Sequence, residues 1–192
     1  NAFTENPDAQ NENGMYAGIS FRPKPGWRMD AYIDVYKFPW VSYSADMPSV
    51  GQNQLIQLFW KPHKKLEAYI RFQKESKSLN GFGLSTNMNE LVSVNRSGLR
   101  LQSSFQPYPG FIIRNRIDIS WFEKSGQKEE GFQACIDFIY KSIEKPYAMS
   151  TRIAWFQTDS YNSRIYGYEN DVLYYYSISA LFHTGMRCYF LF

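Results

Sequence analysis

Apolar and polar residues alternate along the stretch Trp27–Phe38, WRMDAYIDVYKF. Its odd positions are apolar as far as Val35, and its even positions carry charged residues and tyrosines. Successive side chains of a strand point to opposite faces of a sheet, so this stretch predicts a strand with one apolar and one charged face. A strand of this length that opens with a tryptophan is typical of a transmembrane β-barrel.

The same alternation recurs along most of the chain and predicts an all-β fold. Segments rich in proline, glycine, asparagine and serine separate the alternating stretches and predict turns and loops. We expect an antiparallel up-and-down meander of about ten strands. The predicted strands are Met15–Arg22, Trp27–Phe38, Gln54–Lys61, Leu66–Glu75, Leu99–Gln106, Phe111–Trp121, Phe132–Lys141, Tyr147–Trp155, Asp171–Leu181 and Met186–Phe192.

The composition suits strands that alternate better than segments that are apolar throughout. Aromatic residues make up 18% and charged residues 20% of the chain, while the mean hydropathy is −0.47. No run of about 18 apolar residues occurs in this sequence, which excludes a transmembrane helix within it. The net charge of +3 is small and scattered, so nothing indicates nucleic-acid binding.

Two patterns favour a transmembrane β-barrel over a soluble barrel or β-sandwich. Connections alternate in length, as in outer-membrane barrels, and aromatic residues collect near the strand ends, as in the girdles of such barrels. The short connections begin at Pro23, Pro62, Pro107, Ser142 and Phe182, and the long ones at Pro39, Ser76, Glu123 and Thr158. The predicted girdle residues are Trp27, Trp60, Phe105, Phe111, Trp121, Tyr140, Tyr147 and Trp155.

Charged residues collect on the face opposite the apolar one. In a dry core each charge would need a partner or cost several kcal/mol, whereas a wet or salt-bridged lumen accommodates them. If that face met solvent instead, the pattern would describe an ordinary sandwich. The predicted lumen-facing charges are Arg28, Asp30, Asp34, Glu67, Arg71, Glu75, Arg100, Arg114, Arg116, Asp118, Asp137 and Arg152. They could line a selective lumen, but the mixed signs on neighbouring strands favour ion pairs that close it.

Other candidate chemistry is sparse. His63 and His183, the only histidines, lie in predicted short turns, which suit a catalytic base poorly, so we expect no enzyme. Cys135 and Cys188 should point to opposite sides of the sheet as unpaired thiols, and we expect no cofactor or metal. The predicted loop after Thr158 could hold calcium, a protein partner or a glycan, but its spacing matches no calcium motif, which favours a plain hydrogen-bonded loop. Its candidate residues are Asp159, Tyr161, Arg164, Tyr168, Glu169 and Asp171.

Five segments carry a resemblance to a known family: Asn1–Asn6, Gly26–Tyr32, Tyr36–Trp40, Thr158–Arg164 and Tyr168–Tyr174. They resemble outer-membrane proteins of Bacteroidota in which a helix-hairpin-helix domain often precedes a large C-terminal barrel. The resemblance implies a place in the bacterial outer membrane and further strands on both sides. The helix-hairpin-helix part is absent from this sequence, so no role in DNA binding carries over.

The predicted topology also indicates part of a larger barrel, because the first strand would start, and the tenth would end, on the side of the long loops. We therefore expect residues 1–192 to form one β-barrel domain that lacks strands at both ends. The expected function is that of a pore or a structural barrel in the lipid bilayer, with other outer-membrane proteins as candidate partners. Two alternatives stay open: an accessory subunit of an outer-membrane secretion or assembly machine, and a soluble antiparallel β protein that binds a ligand or glycan.

Overall fold

The fold consists of β-strands joined by turns and loops. A computed structural model describes residues 11–81, 89–142, 146–170 and 176–192, with the backbone alone for residues 170 and 176. Among these residues, no helix is long and apolar enough to cross a membrane. The strands are β1 (Asn13–Phe21), β2 (Trp27–Phe38), β3 (Ser49–His63), β4 (Leu66–Asn80), β5 (Leu91–Tyr108), β6 (Phe111–Lys124), β7 (Gln127–Lys141), β8 (Ala148–Thr158), β9 (Ile165–Asn170), β10 (Tyr176–Leu181) and β11 (Thr184–Leu191).

Nine strands form one antiparallel sheet in the order β1-β2-β3-β4-β5-β6-β7-β8-β11. From β1 to β8 each strand pairs with the next in the chain, which confirms the predicted all-β, antiparallel, up-and-down architecture. The alternation of apolar and polar residues holds these strands in register, because a slip by one residue would exchange the two faces. In the described part of the chain neither sheet closes into a barrel, and β1 and β11 are the edge strands.

The last strands depart from the predicted meander. The segment Thr158–Asn170, predicted as a loop, contains β9, and β9 pairs with β10 in a separate two-stranded sheet. Of the strand predicted at Asp171–Leu181, the described residues show β10. β11 follows β10 in the chain but pairs with β8, with Cys188 opposite Ile153.

This pairing changes the direction of the last strand. Because β9 and β10 leave the main sheet, β11 becomes the ninth strand of that sheet and runs antiparallel to β8. The last strand was predicted to run toward the long connections, and that prediction was wrong. β11 runs in the same direction as β1, away from the end at which the long connections lie.

The connection predicted to be long at Glu123–Glu130 is a tight turn. β6 and β7 continue into this segment and meet at Ser125–Gly126, where both residues have positive φ, 52° and 80°. A two-residue turn of this kind matches the twist of the strands that it joins. The other long connections, residues 39–48, residues 81–90 and the segment that holds β9 and β10, all leave the same end of the sheet.

Burial in the main sheet is inverted relative to a water-soluble sheet. Ile56 is 53% exposed while the next residue, Gln57, is 6% exposed, and Ile153 is 44% exposed beside Arg152 at 5%. Since neighbouring strand residues point to opposite faces, one face carries exposed apolar side chains and the other carries buried polar ones. We call these the apolar face and the polar face. As predicted, Cys188 lies exposed on the apolar face and Cys135 lies buried on the polar face.

A cysteine at position 153 should link β8 to β11. Ile153 and Cys188 are directly opposite in an antiparallel pair. Such residues have Cα atoms about 4.5–5.5 Å apart, which lies within the range of a disulfide. In a Cys135→Ala background, mild oxidation of Ile153→Cys should produce a disulfide between position 153 and Cys188, detected by mass spectrometry of peptides.

The matched control is Ser177→Cys in the same background. Ser177 would lie opposite Cys188 if β11 paired with β10 across the turn at Phe182–His183. We expect no cross-link from position 177. A cross-link there, and none from position 153, would show that the chain forms the simple meander instead.

Candidate functional site

The register places all the predicted lumen-facing charges on the polar face. In β2, β3 and β4 four of these charges, Arg28, Asp30, Glu67 and Glu75, form ion pairs with residues nearby. The ion pairs are Arg28–Asp30 (2.9 Å), Lys61–Glu67 (2.9 Å) and Lys77–Glu75 (2.6 Å). Opposite signs therefore balance locally at these three pairs. That the polar face lines a lumen remains a prediction.

The polar face of β5 to β8 carries an excess of positive charge. Four arginines there share two aspartates. The contacts are Arg100–Asp118 (2.5 Å), Arg116–Asp118 (3.1 Å), Arg114–Asp137 (3.9 Å) and Arg152–Asp137 (2.5 Å). Asp118 and Asp137 are almost fully buried, so each carboxylate is a strong local attraction for the arginines around it.

The hairpin of β9 and β10 folds onto this part of the polar face. At its start, the Ser120 hydroxyl donates to the carbonyl oxygen of Ser163 at 2.5 Å. At its far end, the Arg152 guanidinium donates to the carbonyl oxygen of Tyr168, and Arg187 of β11 forms an ion pair with Glu169 at 2.7 Å. These contacts seat the hairpin over β6, β7, β8 and β11. The polar side chains beneath it, Gln133 and Asp137 among them, are fully buried.

One glycine makes the close approach of the hairpin possible. A Cβ at Gly131 would lie 2.4 Å from the carbonyl oxygen of Ser163 and 2.5 Å from the Ser120 hydroxyl. Real Cβ atoms do not approach other atoms so closely, so any larger residue would push the hairpin away from β7. Gly98 of β5 also lies on the polar face, but more space surrounds it. A Cβ at Gly98 would have just the carbonyl oxygen of Ile119 nearby, at 3.8 Å.

The predicted loop candidates that the structure describes lie in the hairpin and in the segment that leads to it. Asp159 accepts a hydrogen bond from the Glu130 backbone at 2.8 Å, and Glu169 pairs with Arg187. Arg164 donates to the Tyr166 hydroxyl at 2.7 Å and to the Tyr161 carbonyl oxygen at 2.8 Å. Tyr168 offers its carbonyl oxygen to Arg152, while Asp171 lies outside the described residues. Within the described ranges, no group of three His, Cys, Asp or Glu residues could hold a metal ion.

The predicted girdle residues lie on the apolar face. Toward the short turns the rings meet across strands, with Trp27 against Trp60 at 6.1 Å between centroids and Tyr140 against Tyr147 at 6.3 Å. Phe111 is opposite Tyr140, and Phe105 is exposed. Trp121 and Trp155 lie nearer the opposite strand ends, where Trp155 packs on Phe132 at 5.6 Å. Whether these rings meet lipid headgroups remains a prediction.

Hydrogen bonds to Asp46 join two of the long connections, and the sequence did not reveal them. The Asp46 carboxylate accepts hydrogen bonds from the Asn89 backbone (3.0 Å), the Asn89 amide (2.8 Å) and the Asn80 amide (2.9 Å). These bonds, led by that of the Asn89 backbone, lower the pKa of Asp46. The connection that carries Asp46 folds over a cavity of about 370 Å³ on the polar face, lined in part by Tyr36 and Arg96.

Arg187 was also missed, because the short last strand holds few residues from which to judge its pattern. The alternation of Arg187 and Tyr189 with Met186, Cys188 and Phe190 was the available signal. Arg96 was missed because the segment before Leu99 was predicted as a loop.

No family model, curated protein or solved structure matches this chain. The family resemblance of the sequence therefore remains a prediction, and the function has to be argued from the geometry.

Replacing Gly131 with alanine should unseat the hairpin. The added Cβ would overlap the Ser163 carbonyl, and overpacking of this kind costs about 1–3 kcal/mol. We expect limited proteolysis to cleave residues 159–183 faster in Gly131→Ala than in the unaltered protein. The rate of appearance of the fragments on a gel measures this difference.

Gly98→Ala is the matched control, because it adds the same methyl group to the same face where space is open. It should leave the cleavage rate of residues 159–183 unchanged. Equal cleavage of the two variants would contradict the proposed seat of the hairpin on Gly131.

Proposed function

We propose that this chain forms the wall of an integral β-barrel in the bacterial outer membrane. The observation that supports this most directly is the inverted burial of the sheet. In water, a broad exposed apolar face would be a liability, whereas hydrocarbon tails accept it at no cost. Exposed members of that face are Met29, Ile33, Ile56, Ile70, Phe72, Leu101, Ile117 and Ile153.

The polar face would form the inner wall of this barrel. Its buried side chains are charged or amide-bearing, as at Gln57, Asp118, Gln133 and Arg152. A polar interior is what membrane barrels have, and the hairpin on that face would narrow it. We therefore propose a narrow pore for ions or small polar solutes as the function.

Closure of the barrel needs more strands than the main sheet has. An unpaired strand edge cannot lie in hydrocarbon, because its backbone groups would lose their hydrogen bonds. β1 and β11 run in the same direction, so a direct seam between them would be parallel. An antiparallel barrel needs an odd number of additional strands between these edges, in keeping with the larger barrel of the family that the sequence resembles.

A second candidate is a barrel that does not conduct and serves as a structural or accessory subunit of an outer-membrane machine. The contacts of the hairpin favour this alternative. Arg152 binds both Asp137 and the Tyr168 carbonyl oxygen, and Arg187 binds Glu169, so the hairpin is anchored by charged side chains from two strands.

A lysine in the centre of the apolar face tests the membrane assignment. In lipid, Ile70→Lys should reduce the free energy of unfolding of the full-length protein by about 2–4 kcal/mol, because the charge would enter hydrocarbon. Urea unfolding in lipid vesicles measures this loss. The control Ile178→Lys alters an exposed residue of the hairpin, away from the apolar face, and should change stability by no more than about 0.5 kcal/mol.

A change within about 0.5 kcal/mol for Ile70→Lys would mean that the apolar face meets water. A folded, monomeric full-length protein in buffer without detergent would lead to the same conclusion. The soluble β protein would then be the better assignment.

Single-channel recording separates the pore from the structural barrel. In planar bilayers the full-length protein should conduct, and Gly131→Ala should increase the conductance because the displaced hairpin leaves a wider interior. Gly98→Ala should conduct like the unaltered protein. Silence of all three proteins in bilayers would favour the structural or accessory role.

A further inference from the structure

A cavity of about 150 Å³ lies between the start of the hairpin and the polar face of β4, β5 and β6. This is several times the roughly 30 Å³ that one water molecule occupies in the liquid. The residues that matter most for its chemistry are Arg71, Gly98, Arg100, Asp118, Ser120 and Arg164. Three arginines and a single aspartate therefore line a space that could hold a small ligand.

Two of these arginines face each other across a strand pair. Arg71 of β4 is directly opposite Arg100 of β5. Like charges in that position repel, and they weaken a sheet unless something of opposite charge lies between them. Arg100 binds Asp118, but Arg71 donates to the neutral side-chain oxygen of Gln57. Among the described residues, Arg71 has no carboxylate partner.

The third arginine reaches the cavity from the hairpin. Arg164 is held in place by its own hydrogen bonds to Tyr166 and Tyr161 and by the faces of both rings, with its guanidinium carbon 4.2 Å from the Tyr161 centroid. None of these partners is charged. The start of the hairpin thus adds a third arginine, held by neutral partners, to the lining of the cavity. Guanidinium groups suit recognition of planar or tetrahedral oxyanions.

The one carboxylate at the cavity is already shared. Asp118 lies 2.5 Å from Arg100 Nε and 3.1 Å from Arg116 Nε. Even so, Arg116 is 8% exposed and its Nε and Nη2 atoms have no well-aligned hydrogen-bond partner. Two guanidinium groups therefore share this one carboxylate, so Asp118 does not also neutralise Arg71.

Gly98 forms part of the cavity wall, and its backbone conformation does not require a glycine. Glycine weakens a strand and usually marks a place where another group comes close. No protein atom comes close at Gly98, whose Cβ would have open space on the side of the cavity. The absence of a side chain there preserves the room between the arginines.

We infer that this cavity is a binding site for an oxyanion, a phosphate, sulfate or carboxylate group held between Arg71, Arg100 and Arg164. The bound group would relieve the repulsion between the opposed arginines. It could be a free ion or part of a larger solute. The site requires the folded sheet and the seated hairpin but not a membrane, so its failure and that of the membrane assignment are distinguishable.

Calorimetric titration of the full-length protein, folded in non-ionic detergent, tests this inference. Inorganic phosphate, methyl phosphate and acetate are titrated separately, at an ionic strength fixed with sodium chloride. We expect saturable binding of at least one of them. Methyl phosphate that binds as well as inorganic phosphate would indicate an esterified group of a larger solute, and a preference for the inorganic ion would indicate a free ion.

Two variants should weaken binding by different means. Arg71→Gln removes one charged donor and should weaken binding about tenfold or more, since a hydrogen bond to a charged group contributes about 1.5–3 kcal/mol. Gly98→Val fills the cavity while every arginine remains, and its branched side chain suits a strand. It should weaken binding to a similar degree even if Arg71→Gln does not fold, and near-ultraviolet circular dichroism checks the fold of each variant.

Arg22→Gln, at an exposed arginine beyond the end of β1, is the control for loss of one positive charge and should bind like the unaltered protein. Three results would overturn the inference. These are the lack of saturable binding by the unaltered protein, undiminished binding by a folded Gly98→Val, and an equal loss in Arg22→Gln.

Discussion

The polar face has to satisfy its own charges, and the rest of the structure depends on how it does so. The central interaction is that of Arg152, which binds both oxygens of Asp137 and also the carbonyl oxygen of Tyr168. One side chain thereby joins β7, β8 and the hairpin. A hydrogen bond to a charged group contributes about 1.5–3 kcal/mol, so the bond from Arg152 to Tyr168 favours a hairpin that lies on the polar face.

The charges of the polar face are neutralised to different degrees in different parts of the sheet. From β2 to β4, neighbouring residues of opposite sign form ion pairs, but Arg71 has no carboxylate partner among the described residues. From β5 to β8 the arginines outnumber the aspartates, and the hairpin supplies Glu169 and backbone carbonyl oxygens as additional acceptors. The balance is still incomplete around Asp118, which is the region where we place a bound oxyanion.

The strands of the main sheet and their faces were predictable, because both follow from a local period of two. β2 has the predicted bounds, and the opposite orientations of Cys135 and Cys188 follow from parity alone. The hairpin was not predictable in this way. Alternation within Ile165–Asn170 is the same whether this strand joins the main sheet or packs on its face. The role of Gly131 can be recognised only once the structure shows that Ser163 lies above it. The turn at Ser125–Gly126 could have been recognised from its glycine, but the charged residues around it favoured a loop.

The separate hairpin constrains the order in which the protein folds. β9 and β10 are neighbours in the chain, so their pairing is local and fast, whereas β8 and β11 meet across the whole of residues 159–183. A hairpin that forms early brings the ends of that segment together and so lowers the entropic cost of pairing β8 with β11. We therefore expect β11 to pair with β8 after the hairpin has formed.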